Sequence, residues 1–260
     1  MDNTLTYDIA TEVGEMSSPG YNYEFKFGEY ISKAFDISKD QLGQWVLYNL
    51  VYILCTMGLA ITIIGLIAMP ALAFGYVYTT RKVMKGGQVE IGDLFKGFDH
   101  FSKLFQVGLV FLGALILLFS PIIVGLIGLG LSGSFDSDTL SGPATAGVIL
   151  MYLYYFFIIL VMIVGQSLFS MTSHFAVYGN MSAIDAFKAS FRFTKKQFWY
   201  WLLYIFAIGF LGGLGVYACY IGMLFTIQFA PVAKTVAFFE TLGTDKYNER
   251  VEQLFPDRSS

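Results

Sequence analysis

The stretch FAPVAKTVAFFE, residues 229–240, sets Lys234 three residues after Pro231 in an otherwise apolar run. A charge at the centre of a membrane helix costs about 3 kcal/mol, so it needs a reason. Beside a proline-loosened backbone, a lysine could bind an anion or a lipid phosphate. It could equally snorkel its ammonium to the interface, or pair with Glu240. Glu240 lies six residues on, which is poor helical spacing for contact. Gln166, Ser167, Ser170, Thr172, Ser173 and His174 gather at the end of another apolar run. With Gln228 and Lys234 they could line a polar pocket; interhelical hydrogen bonding is the plainer use of such residues. The candidate anion or lipid contacts are therefore Lys234, Gln228 and His174.

The usual catalytic groupings do not occur. His100 and His174 stand apart, at no zinc or haem spacing. Cys55 and Cys219 sit in apolar surroundings with no metal or disulfide-framework pattern. They would pair only if both lay near one membrane face. GFLGG (209–213) and GLIGLG (125–130) permit close helix contact in a membrane. Neither follows a strand, so neither is a phosphate loop or a dinucleotide turn. The residues point to no cofactor, no metal and a non-enzymatic role. A net charge of −3 does not suggest nucleic acid as a partner.

These side chains have to be positioned in lipid. The chain is 56% hydrophobic and only 13% charged, with mean hydropathy +0.62. Soluble domains carry roughly 25% charged residues. A helix of about 20 apolar residues spans a bilayer. On that measure the sequence predicts six membrane helices: 42–60, 63–83, 104–131, 148–170, 198–214 and 222–241. GSFDSDTLSGPATAG (133–147) is a polar loop rich in turn residues. Residues 1–24 and 244–260 read as polar tails, the first without the charge and apolar pattern of a cleavable signal peptide.

An amphipathic stretch precedes each hairpin: Phe27, Tyr30, Ile31, Ala34 and Phe35; Leu94, Phe95, Phe98 and Phe101; Ile184, Phe187 and Phe191. Such helices lie in the headgroup plane or pack on the protein's own cytoplasmic face. The sequence also repeats. Matching Trp45 to Trp201, an offset of 156, pairs Phe35 with Phe191, Ser38 with Thr194, Lys39 with Lys195, Gln41 with Gln197 and Tyr48 with Tyr204. An offset of 92 pairs Asp93, Phe95, Lys96, Phe101 and Lys103 with Asp185, Phe187, Lys188, Phe193 and Lys195. Three parallel repeats follow, at 25–86, 90–179 and 181–243, forming an all-α membrane domain over 25–243.

Trp45, Tyr48, Trp199, Trp201 and Tyr204 fit an interfacial aromatic belt. Lys188, Arg192, Lys195 and Lys196 form a basic elbow, which either attracts anionic lipid or simply obeys the positive-inside rule. Basic residues crowd the starting side of every hairpin. The three opposite turns contain no Lys or Arg. Both termini are expected in the cytoplasm.

The runs GNMSAIDAFKASFRFTKKQFWYWLLY (179–204), YIGMLFTIQFAPVAKTVAFFETLG (220–243) and GDLFKGFDHFSKL (92–104) resemble a group of bacterial multi-pass proteins. These are related to the membrane domain found beside some glycerophosphodiester phosphodiesterases. The likeness covers residues 27–243. It implies a bacterial cytoplasmic (inner) membrane protein and brings over no catalytic residue. Two roles are expected from residues and resemblance together. The first is an accessory or scaffolding subunit that contacts membrane lipids and other membrane proteins. The second is a small transporter or lipid-handling permease using the Lys234 region.

Overall fold

The computed structural model describes residue 13 and residues 23–60, 63–131, 142–217 and 222–241. The regular elements among them are all helical. In chain order they are α1 (Phe27–Asp40), α2 (Leu42–Ala60), α3 (Ile63–Met84) and a 3-10 segment (Ile91–His100). Then come α4 (Phe101–Leu131), α5 (Gly142–Leu168), α6 (Thr172–Tyr178), α7 (Ala183–Lys195), α8 (Phe198–Tyr217), α9 (Met223–Thr226) and α10 (Phe229–Thr241).

Four stretches among the described residues are long and apolar enough to cross a membrane: Leu42–Leu59, Ile91–Gly125, Ile149–Tyr178 and Phe198–Tyr217. Six crossings were expected. α3 has 22 residues, but it holds Pro70 internally and Arg81 and Lys82 in its last turn. The stretch expected as the sixth crossing, 222–241, is two helices of 4 and 13 residues. Neither reaches the roughly 20 residues that a crossing takes. Pro231 helps to fix the break. As the third residue of α10 it sits in the first turn, where a missing N–H breaks no helical bond.

The 91–100 stretch, expected as an amphipathic α-helix, is a 3-10 helix running directly into α4. This narrower helix lies backbone to backbone on α3. A Cβ at Gly97 would overlap the Ala71 carbonyl, and one at Gly75 would meet the Leu94 backbone. Leu94 and Asp93 are buried, and Lys82 Nζ donates to Asp93 Oδ2 at 3.0 Å. α7 begins as its sequence indicates: the Ser182 hydroxyl caps the Asp185 N–H at 3.3 Å.

α10 is the hub. Its residues from Val232 to Phe239 are buried except Lys234, and it packs on α1, α3 and α8. Tyr30, Ala34 and Ser38 form the buried face of α1, so that helix packs on the protein itself, while Phe35 stays 58% exposed. Lys33 Nζ lies 2.6 Å from Glu240 Oε1, joining α1 to the end of α10. The Arg81 guanidinium lies over the rings of Tyr178 (4.7 Å) and Phe239 (5.3 Å), tying α3 to α6 and α10.

Three side chains near the starts of α2, α4 and α8 each hold the chain just before another element. Gln41 donates to the Gly87 carbonyl at 3.2 Å and accepts from the Val89 N–H at 2.7 Å, holding the chain just before the 3-10 segment. Gln197 donates to the Tyr23 carbonyl, just before α1. Lys103 donates to Asn180 Oδ1, just before α7. Tyr23 was assigned to a polar tail, but it is packed: its ring stacks on Phe193 at 4.6 Å and its hydroxyl accepts from Trp201 Nε1 at 2.6 Å. Val13 is also buried. Apart from Glu24, whose carbonyl accepts from the Tyr30 hydroxyl at 3.3 Å, the rest of the tails and Cys219 lie outside the described residues.

The aromatic belt needs correction. Trp45, Tyr48, Trp201 and Tyr204 are fully buried, and Trp199 alone of the five is exposed. Three-residue spacing stacks 45 with 48, and 201 with 204, on one helix face. That face turns into the core, where Tyr204 donates to the Ala233 carbonyl at 2.7 Å and Trp45 to the Ile37 carbonyl at 3.1 Å. Trp199, two residues before Trp201, points the other way.

The seat of the 3-10 segment is testable in the full chain in detergent. Gly97→Ala should lower resistance to denaturant unfolding by about 1–3 kcal/mol, the usual effect of overpacking. Gly113→Ala meets open space and should leave the midpoint unchanged or slightly raised. Equal midpoints for both variants would show that the segment yields freely.

Candidate functional site

The chain has no continuous route for its last apolar stretch, so the backbone at the break must be satisfied by side chains. Asn49 of α2 does this. Its Nδ2 donates to the Leu224 carbonyl at 2.7 Å and to Gln228 Oε1 at 2.6 Å. Its Oδ1 accepts from the Tyr76 hydroxyl at 2.9 Å. Gln228 Nε2 in turn donates to the Phe225 carbonyl at 2.9 Å. Asn49, Gln228 and Tyr76 are all buried. Gln228 is thus a structural member of this network and does not line the cleft described next.

That cleft has a volume of about 560 Å³. One wall is α3 around Pro70, Ala73 and Phe74; the other is α4 from Leu104 to Leu115. Gly108 lets the two walls approach, since a Cβ there would stand 3.0 Å from the Pro70 ring. The polar lining comes from Ser170 in the turn joining α5 to α6, Ser173 and His174 at the start of α6, and Lys234 beside Pro231 in α10. The two helix prolines and the α5–α6 turn therefore converge on one cavity, apolar along its walls and polar at one end.

Lys234 and His174 come together as anticipated. Lys234 is half-buried. The carboxylate considered as its partner, Glu240, is taken by Lys33. Among the described residues no side chain pairs with the Lys234 ammonium. His174 is buried, with Nε2 3.3 Å from Thr235 Oγ1. That hydroxyl already donates to the Pro231 carbonyl at 2.9 Å. It can then only accept, so Nε2 carries the histidine proton and Nδ1 presents a bare lone pair. Nδ1 is buried with no partner. The polar end thus offers one cation and hydroxyls, with Nδ1 enclosed behind them. This combination suits the anionic head of an amphiphile, with its chain along the apolar walls.

The other candidates do not join this site. Lys188, Arg192, Lys195 and Lys196 are all exposed on or just after α7. Lys188 lies 4.0 Å from Asp185, and Lys195 sits 5.5 Å above the Phe191 ring. This is a solvated basic rim, the arrangement the positive-inside rule needs. Asn49 and Thr235 went unnoticed in the sequence. Asn49 had a signal: a lone amide between Tyr48 and Leu50 in an apolar run. Thr235 had none, because only the fold brings it to His174.

No curated protein and no solved structure matches the chain. A family model does match, over residues 57–226, within the 27–243 span expected from the resemblance. On that match, which covers more than half its length, the chain belongs to DUF4013, a family described as proteins of unknown function.

Proposed function

We propose that this chain is a multi-pass membrane protein that holds an anionic amphiphile in the Lys234 cleft and handles lipid or lipid-like molecules. The observation that carries this reading is an ammonium without a carboxylate partner at the polar end of an apolar cavity. A charge kept there costs free energy that a bound anion would offset. The same reading places the chain in a bacterial inner membrane with both termini cytoplasmic. Its finer architecture is three hairpin copies around one axis, supported by the clamps from Gln41, Lys103 and Gln197. Kinship with the membrane domain beside some glycerophosphodiester phosphodiesterases belongs to the same proposal, and rests on the 179–204 and 220–243 runs.

A second reading, an accessory subunit of a membrane assembly, is favoured by α5. Tyr152, Leu153, Tyr155, Phe156 and Phe157 are each more than half exposed and fall on successive faces of that helix. Little of α5 is covered by its own chain, leaving room for a partner's helices as well as lipid.

Three outcomes test these statements. Lys234→Met in purified, reconstituted protein should weaken binding of a fluorescent fatty-acid carboxylate at least tenfold, about 1.4 kcal/mol, without lowering thermal stability. Unchanged binding would leave Lys234 a snorkelling residue. Alkaline phosphatase inserted within 133–147 should be active in bacterial cells and inactive when fused after residue 260; the reverse pattern would invert the topology. Purification of tagged protein from native membranes in mild detergent, with mass spectrometry of proteins and lipids, separates the two readings. A lone chain with one enriched amphiphile fits the first, and a stoichiometric protein partner fits the second.

A further inference from the structure

The offset of 156 makes α1 and α7 counterparts, with Ile31, Phe35, Ser38 and Lys39 matching Phe187, Phe191, Thr194 and Lys195. On α7 this face is partly covered by the residues at and just after the end of α5, with Phe191 still 37% exposed. The Phe169 ring packs on Phe187 at 5.3 Å and on Phe191 at 6.3 Å. The Thr194 hydroxyl donates to the Leu168 carbonyl at 2.9 Å. On α1 the same face is open. Ile31, Phe35, Ser38 and Lys39 line a groove of about 620 Å³, closed on the far side by Leu214 of α8 and Phe225 of α9. Ser38 is only 7% exposed, yet its hydroxyl has no hydrogen-bond partner.

The two faces differ because different elements stand opposite them. α5 continues to Leu168 and drops Phe169 onto α7, with a carbonyl for Thr194. Opposite α1 stand α8, the short α9 and the start of α10, and they supply neither an apolar plug nor an acceptor. The groove therefore lacks two things that its counterpart has: an apolar filling and an oxygen for the hydroxyl one turn beyond it. It also has an exposed lysine, Lys39, beside that hydroxyl.

We infer that the groove on α1 binds one anionic phospholipid, with an acyl chain where Phe169 lies on α7 and phosphate oxygens on Lys39 and, once its enclosed hydroxyl turns into the groove, on Ser38. The chain supplies the missing apolar filling. The phosphate supplies the acceptor, and Lys39 complements its charge. A zwitterionic lipid could fill the groove equally well but would gain less from Lys39. The site is separate from the Lys234 cleft, shares no lining residue with it, and stands or falls independently of the proposed function. Bound there, the lipid would brace α1 against α8 and α9, beside the break that Asn49 stabilises.

The test places a photoreactive benzophenone amino acid at Phe35, an exposed position that tolerates replacement, in the full chain. The protein is assembled in nanodiscs of equal parts phosphatidylglycerol and phosphatidylcholine, irradiated and weighed intact. The expected result is a phosphatidylglycerol adduct several-fold above the bilayer proportion. It should fall to that proportion in Lys39→Ala and persist in Lys234→Met. Lys39 is exposed, so its replacement leaves the fold in place. Adducts at the bilayer proportion would overturn the inference. So would enrichment that survives Lys39→Ala, or a crosslink to a second protein chain in place of lipid.

Discussion

The Asn49 amide bridges the Leu224 carbonyl and Gln228 where the chain breaks between α9 and α10. Comparable contacts hold the other interruptions. From the turns into α2 and α8, Gln41 holds the backbone at Gly87 and Val89 and Gln197 holds it at Tyr23. Ser190 and Thr194 both donate to the Leu168 carbonyl where α5 ends, each at 2.9 Å. Away from water an unpaired backbone group costs several kcal/mol, so a helix can break in an apolar setting only where another element brings a partner. This constraint decides where the chain is allowed to be irregular, and the irregular places are where its cavities are.

The Lys234 cleft follows from that rule. Pro70 interrupts the hydrogen-bond ladder of α3, the α5–α6 turn interrupts the next returning stretch, and Pro231 opens α10. Regular helices packed along their full length would leave no such space. The groove on α1 has the same origin, since the short α9 stands opposite it. A buried network that is satisfied everywhere rigidifies its surroundings. The orphan Nδ1 of His174 and hydroxyl of Ser38 are departures from full satisfaction, and each lies beside a cavity.

The order of elements was legible in the sequence wherever apolar runs were long and bounded by turn residues. The hairpin limits at 60 and 63 and the start of α8 at 198 agree with the helices to within a few residues, whereas the polar loop expected over 133–147 is overrun at its end, because α5 already begins at Gly142; the earlier part of that loop lies outside the described residues. The pairing of Trp45 with Trp201 was legible as a repeat, but its meaning was misread. Tryptophan and tyrosine suit an interface and a core alike, and only the direction of the helix face separates the two. The 3-10 segment was hidden because its apolar spacing also fits an α-helix. What distinguishes it is contact between Gly97 and Ala71, a tertiary fact. In the site, Lys234 announced itself as a charge in an apolar run. Its neighbour His174 was reached through a polar cluster, and Thr235 could not be found without the fold.

The sequence repeat also bears on why α1 borders an open groove and α7 does not. Copies related in sequence start with equivalent faces, so any difference between them comes from what each copy packs against. The 156 offset gives α1 and α7 the same Phe, hydroxyl and lysine positions, yet Phe169 packs on that face of α7 while the face of α1 borders an open groove. The cleft is asymmetric for the same kind of reason: α3 contributes Pro70, Ala73 and Phe74 to its lining while α10 contributes Pro231 and Lys234, so apolar side chains on one element meet an ammonium from another.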